Sequence, residues 1–440
     1  MRIGFVSFSW TGGFDGSFAI EKMQASIALL SRYGEVVAPP SPICTVAEAR
    51  EAAAQLEAGH IDALVLQQGT FCSAEPLPVV VERLHVPTAV WAVREPYNGS
   101  RPVANSLVGI TLMASLLTNL DHPYTYFYGD PDEAEVVGGV ERFLTAARTV
   151  RKLRTLRVGV AGSRAPGFFL MGGDDMTLRR QVGPEIFHID LSDLFYGPEP
   201  EAADVSAVRA TMVHKVANTA EQSPANLTKI ARTTARLRQL VRQNELDAVA
   251  LKNWPEFDPC YGVAADFVLS QLTSEGIVAG CEGDLNGTIT GVMLQEVTGG
   301  GLSFLTDLVQ VDRESNTGIL WHAGVAPTEM AADPRQVRFY DVGNVGMNLE
   351  FVLKPGRITI ARLGMSKGKY RLLVTGAEAL PSTMLVRGAV VQVRFDAPAS
   401  SLLDTILLGG WEHHVSMCYG DVQEELAEVA RQLGIELVRI

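Results

Sequence analysis

The sequence is organised around one segment near its middle, Ala279-Gly280-Cys281-Glu282-Gly283-Asp284-Leu285-Asn286-Gly287. An apolar run leads into this segment and stops at two carboxylates, Glu282 and Asp284, and a helical pattern follows from Leu285 to Val297. The pattern predicts a strand of a parallel α/β sheet that ends at Glu282. Because such sheets bind ligands at the carboxyl ends of their strands, Glu282 is a candidate for chemistry. Asp284 is also placed to cap the helix that follows.

The rest of the chain predicts three domains. Residues 1–154 alternate apolar runs with amphipathic stretches, which is typical of a doubly wound domain of the flavodoxin or Rossmann kind. A basic hinge near residue 154 precedes a second such pattern over residues 155–328. Residues 329–440 predict a mostly β domain, in which no long helix is expected between the strands from Val337 to Phe395. An amphipathic helix from Val422 to Leu433 and a final strand are expected to close the chain. The predicted fold class is α/β, with two doubly wound parallel-sheet domains followed by a mostly β C-terminal domain.

Composition excludes several classes of function. The 440 residues carry a formal net charge of -13, which argues against nucleic acid as a partner. The most apolar window, Ser106 to Leu120, is too short to cross a bilayer, and the N-terminus enters a strand without a leader. Five widely spaced cysteines without a CxxC pair indicate neither a disulfide framework nor a zinc knuckle. We therefore expect a cytoplasmic protein with no membrane partner.

Three places combine ligand-type side chains with predicted strand ends: Glu282 with Asp284, Asp307, and the pair His413-His414. Glu282 and Asp307 are expected on adjoining strands of one sheet, with a histidine arriving from the third domain. Two carboxylates and an imidazole suit Mn²⁺, Co²⁺ or Mg²⁺ better than they suit a closed zinc site. The residues alone leave open that the acids only cap a helix and that the histidines lie in a solvated turn.

Loops at the predicted carboxyl edges offer further candidates for a binding pocket. The loops after the first and third strands contain Trp10 and Gln68, and the loop after the first strand of the second domain offers Arg164 as a clamp for an anion or a hydroxyl. Ordinary βα turns and a surface arginine are the alternatives.

A set of motifs in the last 200 residues or so resembles the superfamily of L-fucose isomerase and L-arabinose isomerase, in motif order and in spacing. The first 150 residues match that superfamily only in architecture. The motifs are Leu251-Lys252-Asn253-Trp254-Pro255-Glu256-Phe257, Cys281-Glu282-Gly283-Asp284-Leu285-Asn286-Gly287, Phe304-Leu305-Thr306-Asp307, Trp321-His322-Ala323-Gly324-Val325-Ala326-Pro327, and His413-His414-Val415 before Tyr419-Gly420-Asp421.

The resemblance implies a divalent metal, usually Mn²⁺, held by Glu282, Asp307 and His414. We prefer His414 to His413 because its distance from the Tyr-Gly-Asp turn fits the family spacing better. His322 falls where arabinose isomerases use a further histidine, and it is either a fourth ligand or part of the pocket wall. Relatives assemble as trimers or hexamers, so a homo-oligomer is implied.

The implied activity is aldose-ketose isomerisation through a cis-enediolate, with Glu282 and Asp307 as the catalytic pair that moves protons. The resemblance implies a deoxy-, pento- or sulfo-/acidic sugar as the substrate. Trp10, Arg164 and Lys252 would suit a sulfonated sugar such as sulfoquinovose, and they would equally suit a neutral deoxysugar. Gln68, Asp284 and His322 complete the predicted substrate-binding set.

Two other functions compete with the isomerase. One is a non-catalytic sugar-binding or regulatory protein of the same fold, and the other is an epimerase that acts on a sugar acid. An acidic pair joined by a histidine favours catalysis, because a binding protein has no need of two carboxylates at a reacting carbon.

Overall fold

The structure is a computed structural model that describes residues 1–10, 12–97, 99, 101–342 and 345–440, with the side chain of residue 345 also outside this part. Thr11, in the loop predicted to line a pocket, thus lies outside the described residues. The chain forms two compact units. Residues 1–151 with 427–434 make the first unit, and residues 152–426 with 435–440 make the second. The division into three domains at residues 154 and 328 stays a prediction.

The first unit is built on a parallel sheet with helices between its strands. The strands are β1 (Arg2–Phe8), β2 (Glu35–Val37), β3 (Ala63–Gln68), β4 (Thr88–Ala92) and β5 (Tyr124–Tyr128), and the helices are α1 (Gly16–Leu30), α2 (Val46–Ala58), α3 (Leu77–Val81), α4 (Ser106–Asn119) and α5 (Ala134–Thr155). The strand order is β2-β1-β3-β4-β5. Successive residues of β3 enter two different apolar clusters, with Leu64 and Leu66 in one and Ala63 and Val65 in the other. Both faces of the sheet are therefore covered.

The second unit begins with another parallel sheet. Its strands are β6 (Arg157–Ala161), β7 (Glu185–Ile189), β8 (Ala248–Leu251) and β9 (Val278–Gly280), and its helices are α6 (Asp175–Gln181), α7 (Leu191–Tyr196), α8 (Ala202–Lys215), α9 (Pro224–Gln243), α10 (Phe257–Tyr261), α11 (Asp266–Ser274) and α12 (Leu285–Val297). The four strands follow the order β7-β6-β8-β9.

A mostly antiparallel β-barrel completes the second unit. Its elements are β10 (Ser303–Asp312), β11 (Thr317–His322), β12 (Arg338–Val342), β13 (Val345–Val352), β14 (Gly356–Ser366), β15 (Lys369–Ala379), β16 (Ala389–Phe395), α13 (Ala399–Gly409), β17 (His414–Tyr419) and β18 (Glu436–Arg439). Helix α14 (Gln423–Leu433) begins in the second unit and belongs to the first unit from Ala427 onward. Strands β16, β11, β10, β17, β14 and β15 pair in that order, and β15 pairs again with β16. This last pairing closes the ring, so these strands present no open edge to one another.

Helix α12 is the element that brings the second sheet and the barrel together. It contacts β8 and β9 of the sheet as well as β10, β14 and β17 of the barrel, and most of its residues are buried. Asp284 is its N-cap, and the Asp284 side chain accepts a hydrogen bond from the backbone N–H of Gly287. One continuous apolar core includes Val249 of the sheet and Val391 of the barrel. The predicted helix and its cap are confirmed.

The expectation that Glu282 and Asp307 lie on adjoining strands of one sheet is wrong. Strand β9, which leads to Glu282, is the last strand of the parallel sheet, whereas β10, which carries Asp307, pairs with β11 and β17 in the barrel. The apolar pattern of β10 predicts a strand correctly but does not reveal its partner. The alternation of strand and helix continues up to β10. The chain leaves the parallel sheet after β9 and enters the barrel at β10, with α12 as the connection.

The predicted fold class is confirmed, since two parallel sheets with helices are followed by a mostly β region. In the part of the chain that the structure describes, no long helix lies between β12 and β16, as predicted. Helix α13, which follows β16, was not predicted, because it lies between Pro398 and Gly410, two residues that indicate turns. Among the described residues, no helix combines the length and the apolar character that a membrane span requires.

Candidate metal centre

Glu282 lies at the tip of the second sheet in an unusual backbone conformation. It follows β9 by one residue and has a φ of +58°, in the left-handed region that non-glycine residues rarely adopt. Its backbone is held on both sides. The Glu282 N–H donates to Asn253 Oδ1 at 2.7 Å, and the Glu282 carbonyl accepts from the N–H of Ala165 at 3.0 Å. This turn fixes the direction in which the Glu282 side chain leaves the sheet.

Asp307 and His414 are brought together by the barrel. They are directly paired residues of the antiparallel strands β10 and β17, so their side chains lie on the same face. Asp307 Oδ1 is 3.7 Å from His414 Nε2. The pairing register thus joins two residues that are more than 100 positions apart in the sequence.

The carboxylate of Glu282 lies beside the same nitrogen of His414 as Asp307 does. Its Oε2 is 3.5 Å from His414 Nε2. Glu282 Oε2 and Asp307 Oδ1 are buried, and neither accepts a hydrogen bond from any described residue. Oxygen ligands of a divalent cation lie roughly 2.0 to 2.6 Å from it, which places neighbouring ligands about 3 to 4 Å apart. Two buried acceptors without a donor, at this spacing around one imidazole nitrogen, fit a divalent cation.

The orientation of His414 is fixed from behind by Asp284. His414 Nδ1 lies 2.9 Å from Asp284 Oδ2. The carboxylate of Asp284 is itself paired with the guanidinium of Arg362, and both side chains are fully buried. Burial alone would raise the pKa of Asp284, but Arg362 and His414 outweigh it and hold this pKa well below its usual range. Because an ionised carboxylate only accepts hydrogen bonds, Asp284 holds a proton on His414 Nδ1, and this leaves Nε2, which faces Glu282 and Asp307, as the nitrogen that can bind a metal ion.

A second group of ligand-type side chains includes the same histidine. The ligand atoms of Cys281, His322 and His414 lie within 4.8 Å of one another, as do those of Glu282, His413 and His414. A group of residues able to hold a metal is therefore present. His322 Nδ1 accepts the N–H of Ala323 at 2.8 Å, which leaves the proton on Nε2, 3.1 Å from Cys281 Sγ.

Burial keeps His322 and Cys281 in their neutral forms. It lowers the pKa of His322 to about 4. Burial, reinforced by the charge of Glu282 and then of Asp307, raises the pKa of the Cys281 thiol well above its usual value. A protonated thiol and an imidazole protonated on Nε2 offer no ready electron pair. Of these three residues, only His414 therefore presents one.

His413 is the more exposed of the two adjacent histidines. Its Nε2 is 3.4 Å from Glu282 Oε2, and its ring packs edge-on against Phe168, which stacks on Trp254. Burial opposes protonation of His413, but the carboxylates of Glu282 and Asp307 outweigh it and raise its pKa. In turn, His413 and His414 lower the pKa of Glu282 against the effect of its burial. The Glu282 carboxylate is therefore ionised at neutral pH.

Four of the six predicted substrate-binding residues lie in this second unit, Asp284 and His322 as described above and Arg164 and Lys252 in loops. Arg164 packs its backbone against Gly283, where an added Cβ would lie 2.8 Å from Arg164 Cα, and its guanidinium lies over the ring of Phe169. Lys252 follows β8 and forms an ion pair with Glu256. Arg164 thus lies beside the turn that carries Glu282. Substrate contacts by Arg164, Lys252, Asp284 and His322 stay predictions.

The other two predicted residues, Trp10 and Gln68, belong to the first unit. Trp10 is about half exposed, and Gln68 is fully buried at the end of β3. The amide of Gln68 accepts the N–H of Cys72 at 2.7 Å and donates to its carbonyl at 3.3 Å. Gln68 therefore orders the loop that follows β3, and its role in substrate binding stays a prediction.

Sequence reasoning missed Arg362, Asn253 and the thiol of Cys281. Asn253 and Cys281 stand inside the motifs that carry the resemblance, so their position was a usable signal. No sequence signal pointed to Arg362, because a lone arginine in a β-rich segment is ordinarily a surface residue. Only the fold shows that its side chain is fully buried.

Comparison with known proteins identifies the family. A family model described as the fucose/sulfoquinovose isomerase N-terminal domain matches residues 12–154, and one described as the L-fucose isomerase C-terminal domain matches residues 328–440. A sulfoquinovose isomerase of Alkalicoccus urumqiensis is 31% identical over 381 residues, which cover 86% of each chain. Its counterpart in Priestia megaterium is 31% identical over 408 residues, which cover 91% of this chain and 90% of the relative. The resemblance read from the motifs is thus confirmed, and the chain belongs to the fucose/sulfoquinovose isomerase family of sugar isomerases.

Proposed function

We propose that the protein is a Mn²⁺-dependent aldose-ketose isomerase that interconverts sulfoquinovose, a glucose with a sulfonate in place of its 6-hydroxyl, and the corresponding 2-ketose. The relatives that span most of the chain are named for that sugar. One observation carries the proposal. Glu282 Oε2 and Asp307 Oδ1 are buried without a hydrogen-bond donor from any described residue, and both face His414 Nε2.

Glu282, Asp307 and His414 would hold the metal ion. When bound, the ion would act as a Lewis acid that polarises the sugar carbonyl and lowers the pKa of the neighbouring hydroxyl. Two carboxylates and one imidazole favour Mn²⁺, with Co²⁺ or Mg²⁺ as alternatives, over metals that prefer thiolates. The protonated thiol of Cys281 supports the same preference, because burial raises its pKa well above the usual value.

The carboxylates would also move the protons of the reaction. Isomerisation shifts one hydrogen between C1 and C2 and one proton between their oxygens, through a cis-enediolate. One of Glu282 and Asp307 would take the proton from carbon and return it to the neighbouring carbon, while the other would move the hydroxyl proton. Because its two neighbouring histidines lower the pKa of Glu282, this residue is ready to act as a base at neutral pH.

Arg164 is the best-placed partner for the sulfonate. It forms no ion pair with any described residue, whereas Lys252 is already paired with Glu256. A guanidinium binds a planar or tetrahedral oxyanion through several donors at once. We expect Arg164→Met to raise the KM for sulfoquinovose at least tenfold and to leave the turnover of a neutral aldose within about threefold.

The reaction can be tested by incubating the Mn²⁺-loaded protein with sulfoquinovose, L-fucose and D-glucose in D₂O and following each by NMR. Formation of the ketose of sulfoquinovose with deuterium at C2 of the recovered aldose supports the proposal. Exchange with only a stereoisomer formed would indicate an epimerase. The absence of both exchange and turnover, while the sugar still binds, would indicate a binding protein.

Glu282→Gln tests the assigned roles. It removes the negative charge and preserves the shape of the side chain, so we expect turnover to fall by at least about a thousandfold. The matched control is Glu296→Gln, which makes the same change at the other end of α12, away from the candidate site. Wild-type turnover by the Glu282→Gln variant would overturn the assignment.

A further inference from the structure

Arg362 is a charged side chain enclosed in the second unit. It lies on β14, its side chain is fully buried, and it forms a two-point contact with Asp284, with Nη1 2.5 Å from Oδ2 and Nη2 3.1 Å from Oδ1. On its other side, Nε is 3.6 Å from the buried carboxylate of Glu412. The desolvation free energy of a buried guanidinium and carboxylate offsets much of their electrostatic attraction, so such a pair is weak evidence for a role in stability. The role of the Arg362–Asp284 pair therefore lies in the side chains that it orients.

The ion pair holds the carboxylate that orients His414. Asp284 Oδ2 faces both Arg362 and the Nδ1 of His414, while Oδ1 also accepts the N–H of Gly287. The lack of a side chain at Gly287 leaves the necessary room, because a Cβ there would lie 2.5 Å from Asp284 Oδ2 and 2.8 Å from Arg362 Nη1. The contacts therefore run from Arg362 through Asp284 to His414.

We propose that Arg362 is a positioning residue for the metal site, which fixes Asp284 so that His414 presents the lone pair of Nε2 to the ion. The inference rests on the proposed metal site and adds the residue that orients it. Arginine is required because its planar fork engages both oxygens of Asp284, whereas a lysine ammonium provides one point of attachment. Partners behind a histidine ligand typically change metal affinity by about 10- to 100-fold when removed.

The test measures the dissociation constant of Mn²⁺ by electron paramagnetic resonance, without sugar. We expect Arg362→Lys and Asp284→Asn each to weaken binding about 10- to 100-fold. The double variant should bind no more than about threefold more weakly than the weaker single variant, because both residues act through the same histidine. The control is Arg357→Lys. Arg357 lies on the same strand and makes a two-point contact with Asp396, and its variant should stay within about twofold of wild type.

The possible outcomes separate this inference from the proposed function. If the wild-type protein binds no Mn²⁺, the proposed metal site itself fails. If the wild-type protein binds Mn²⁺ and Arg362→Lys binds it equally well, only the role of Arg362 is overturned. Additive losses in the double variant would also overturn it.

A measurement on the wild-type protein covers the case in which Arg362→Lys does not fold. Nitrogen-15 NMR of the histidine rings in the metal-free protein should show His414 protonated on Nδ1, with a hydrogen-bonded proton far downfield. A His414 ring protonated on Nε2 and not on Nδ1 would contradict the proposal without any substitution.

A separate observation concerns two cysteines of the first unit. Cys72 Sγ is 3.4 Å from Cys44 Sγ, and both residues are free thiols. Their backbones are held in place, because Gln68 bonds both the N–H and the carbonyl of Cys72 and the N–H of Cys44 donates to Glu48 at 2.9 Å. Cys72 is fully buried and Cys44 is partly exposed. The two sulfurs are thus preorganised, with access from the side of Cys44.

We infer that Cys44 and Cys72 form a reversible disulfide when the protein meets a peroxide. Cys44 attacks hydrogen peroxide, and the O–O bond breaks to give a sulfenic acid and water. Cys72 then attacks the sulfenic sulfur, the S–O bond breaks and a second water leaves. Two thiols are oxidised by two electrons and one peroxide is reduced. A dithiol reductant of the dithiothreitol type reverses the change by thiol-disulfide exchange.

Peptide mapping of the whole protein after treatment with hydrogen peroxide tests this inference. We expect a peptide that joins Cys44 to Cys72, loss of two of the five free thiols, and recovery of both with dithiothreitol. Cys44→Ser should abolish the linked peptide, whereas Cys260→Ser, which removes an exposed thiol, should leave it unchanged. Oxidation of Cys44 to a sulfinic acid, with no linked peptide formed, would overturn the inference.

Discussion

His414 and His322 show how the two nitrogens of an imidazole can be assigned from their neighbours. The ionised Asp284 requires a proton on Nδ1 of His414, and the N–H of Ala323 requires a lone pair on Nδ1 of His322. The two rings therefore present opposite faces to the site. His414 would offer an electron pair to the proposed metal ion, whereas His322 offers a proton to Cys281.

This difference predicts opposite effects of substitution on metal binding. His414→Asn should weaken Mn²⁺ binding more than tenfold, because it removes a ligand. His322→Asn, whose side-chain oxygen can still accept a backbone N–H, should stay within about threefold of wild type. Isothermal titration with MnCl₂ measures both. An equal loss in both variants would show that the metal sits in the group formed by Cys281, His322 and His414.

Asp266, the first residue of α11, predicts a pH dependence of stability. Burial, and after it the charge of Glu282, raises the pKa of Asp266 to about 7. Because this pKa is raised above its value in the unfolded chain, about 3.9, the folded state binds more protons between about pH 4 and pH 7. The contribution of Asp266 to stability is therefore present at low pH and is lost as the pH rises through this window.

Asp266→Asn removes that dependence, since an amide does not titrate. Between pH 4 and pH 8, the free energy of unfolding of Asp266→Asn should increase relative to that of the wild type, by up to about 4 kcal/mol. His322 has the opposite effect, because its lowered pKa makes stability fall as the pH drops from about 6.5 to 4. Both proteins contain His322, so its effect cancels in the difference between their free energies of unfolding. Urea unfolding of metal-free protein at both pH values measures the difference. A constant difference would contradict the assignment.

At the residue scale, the motifs predict Glu282, Asp307 and His414 as ligands, and the structure places Glu282 Oε2 and Asp307 Oδ1 at 3.5 and 3.7 Å from His414 Nε2. Their role as ligands stays a prediction. The motifs could not select Arg362, because its importance depends on burial, and burial depends on the barrel. The same holds for the tautomers of the histidines, which are set by contacts with Asp284 and Ala323.

At the scale of single elements, α12 has to fit between the second sheet and the barrel. Gly287 lies in its first turn, where an added Cβ would meet Asp284 Oδ2 at 2.5 Å, Leu305 Cδ1 at 2.6 Å and Arg362 Nη1 at 2.8 Å. These neighbours are buried and cannot move freely. The helix therefore depends on glycine at this position for its approach to the barrel.

Gly287→Ala should destabilise the protein by about 1–3 kcal/mol and should also weaken Mn²⁺ binding, because the crowded atoms belong to the contacts that orient His414. The matched control is Gly138→Ala in α5, where an added Cβ meets nothing within 4 Å. That variant should be neutral or more stable by about 0.4–1 kcal/mol. Urea unfolding with and without Mn²⁺ compares the two. Equal effects in both variants would contradict the packing argument.

The elements also show what a sequence pattern can and cannot predict. The bounds of α12 agree with the prediction, because the helix begins at a clear signal, the Asp284 cap. The sheet that β10 joins could not be predicted, since the pairing of β10 with β17 joins segments far apart in the sequence. For the same reason, β17 itself was not recognised as a strand, although its first residue is His414.

At the scale of the whole molecule, the proposed ion would join parts of the second unit that no single element connects. Glu282 follows the last strand of the parallel sheet, and Asp307 and His414 stand on the barrel. Glu282 Oε2 and Asp307 Oδ1 lie 3.5 and 3.7 Å from His414 Nε2, and neither oxygen accepts a hydrogen bond from any described residue, so without an ion the two carboxylates repel each other. Binding of a cation removes this repulsion in the folded state only.

Mn²⁺ should therefore stabilise the wild-type protein. At a free concentration about 100 times the dissociation constant, the gain is about 2.7 kcal/mol, and EDTA should reverse it. Differential scanning calorimetry with and without MnCl₂ measures the shift. Glu282→Gln should lose most of it, and Glu296→Gln should keep it. Equal shifts in the two variants would show that the ion binds elsewhere.

Anomalous X-ray diffraction from crystals grown with MnCl₂ tests most directly whether Glu282, Asp307 and His414 hold one divalent ion. We predict one strong manganese peak about 2.0 to 2.6 Å from Glu282 Oε2, Asp307 Oδ1 and His414 Nε2. A manganese peak bound instead by Cys281 and His322, or no peak at the tip of β9 under saturating MnCl₂, would contradict it.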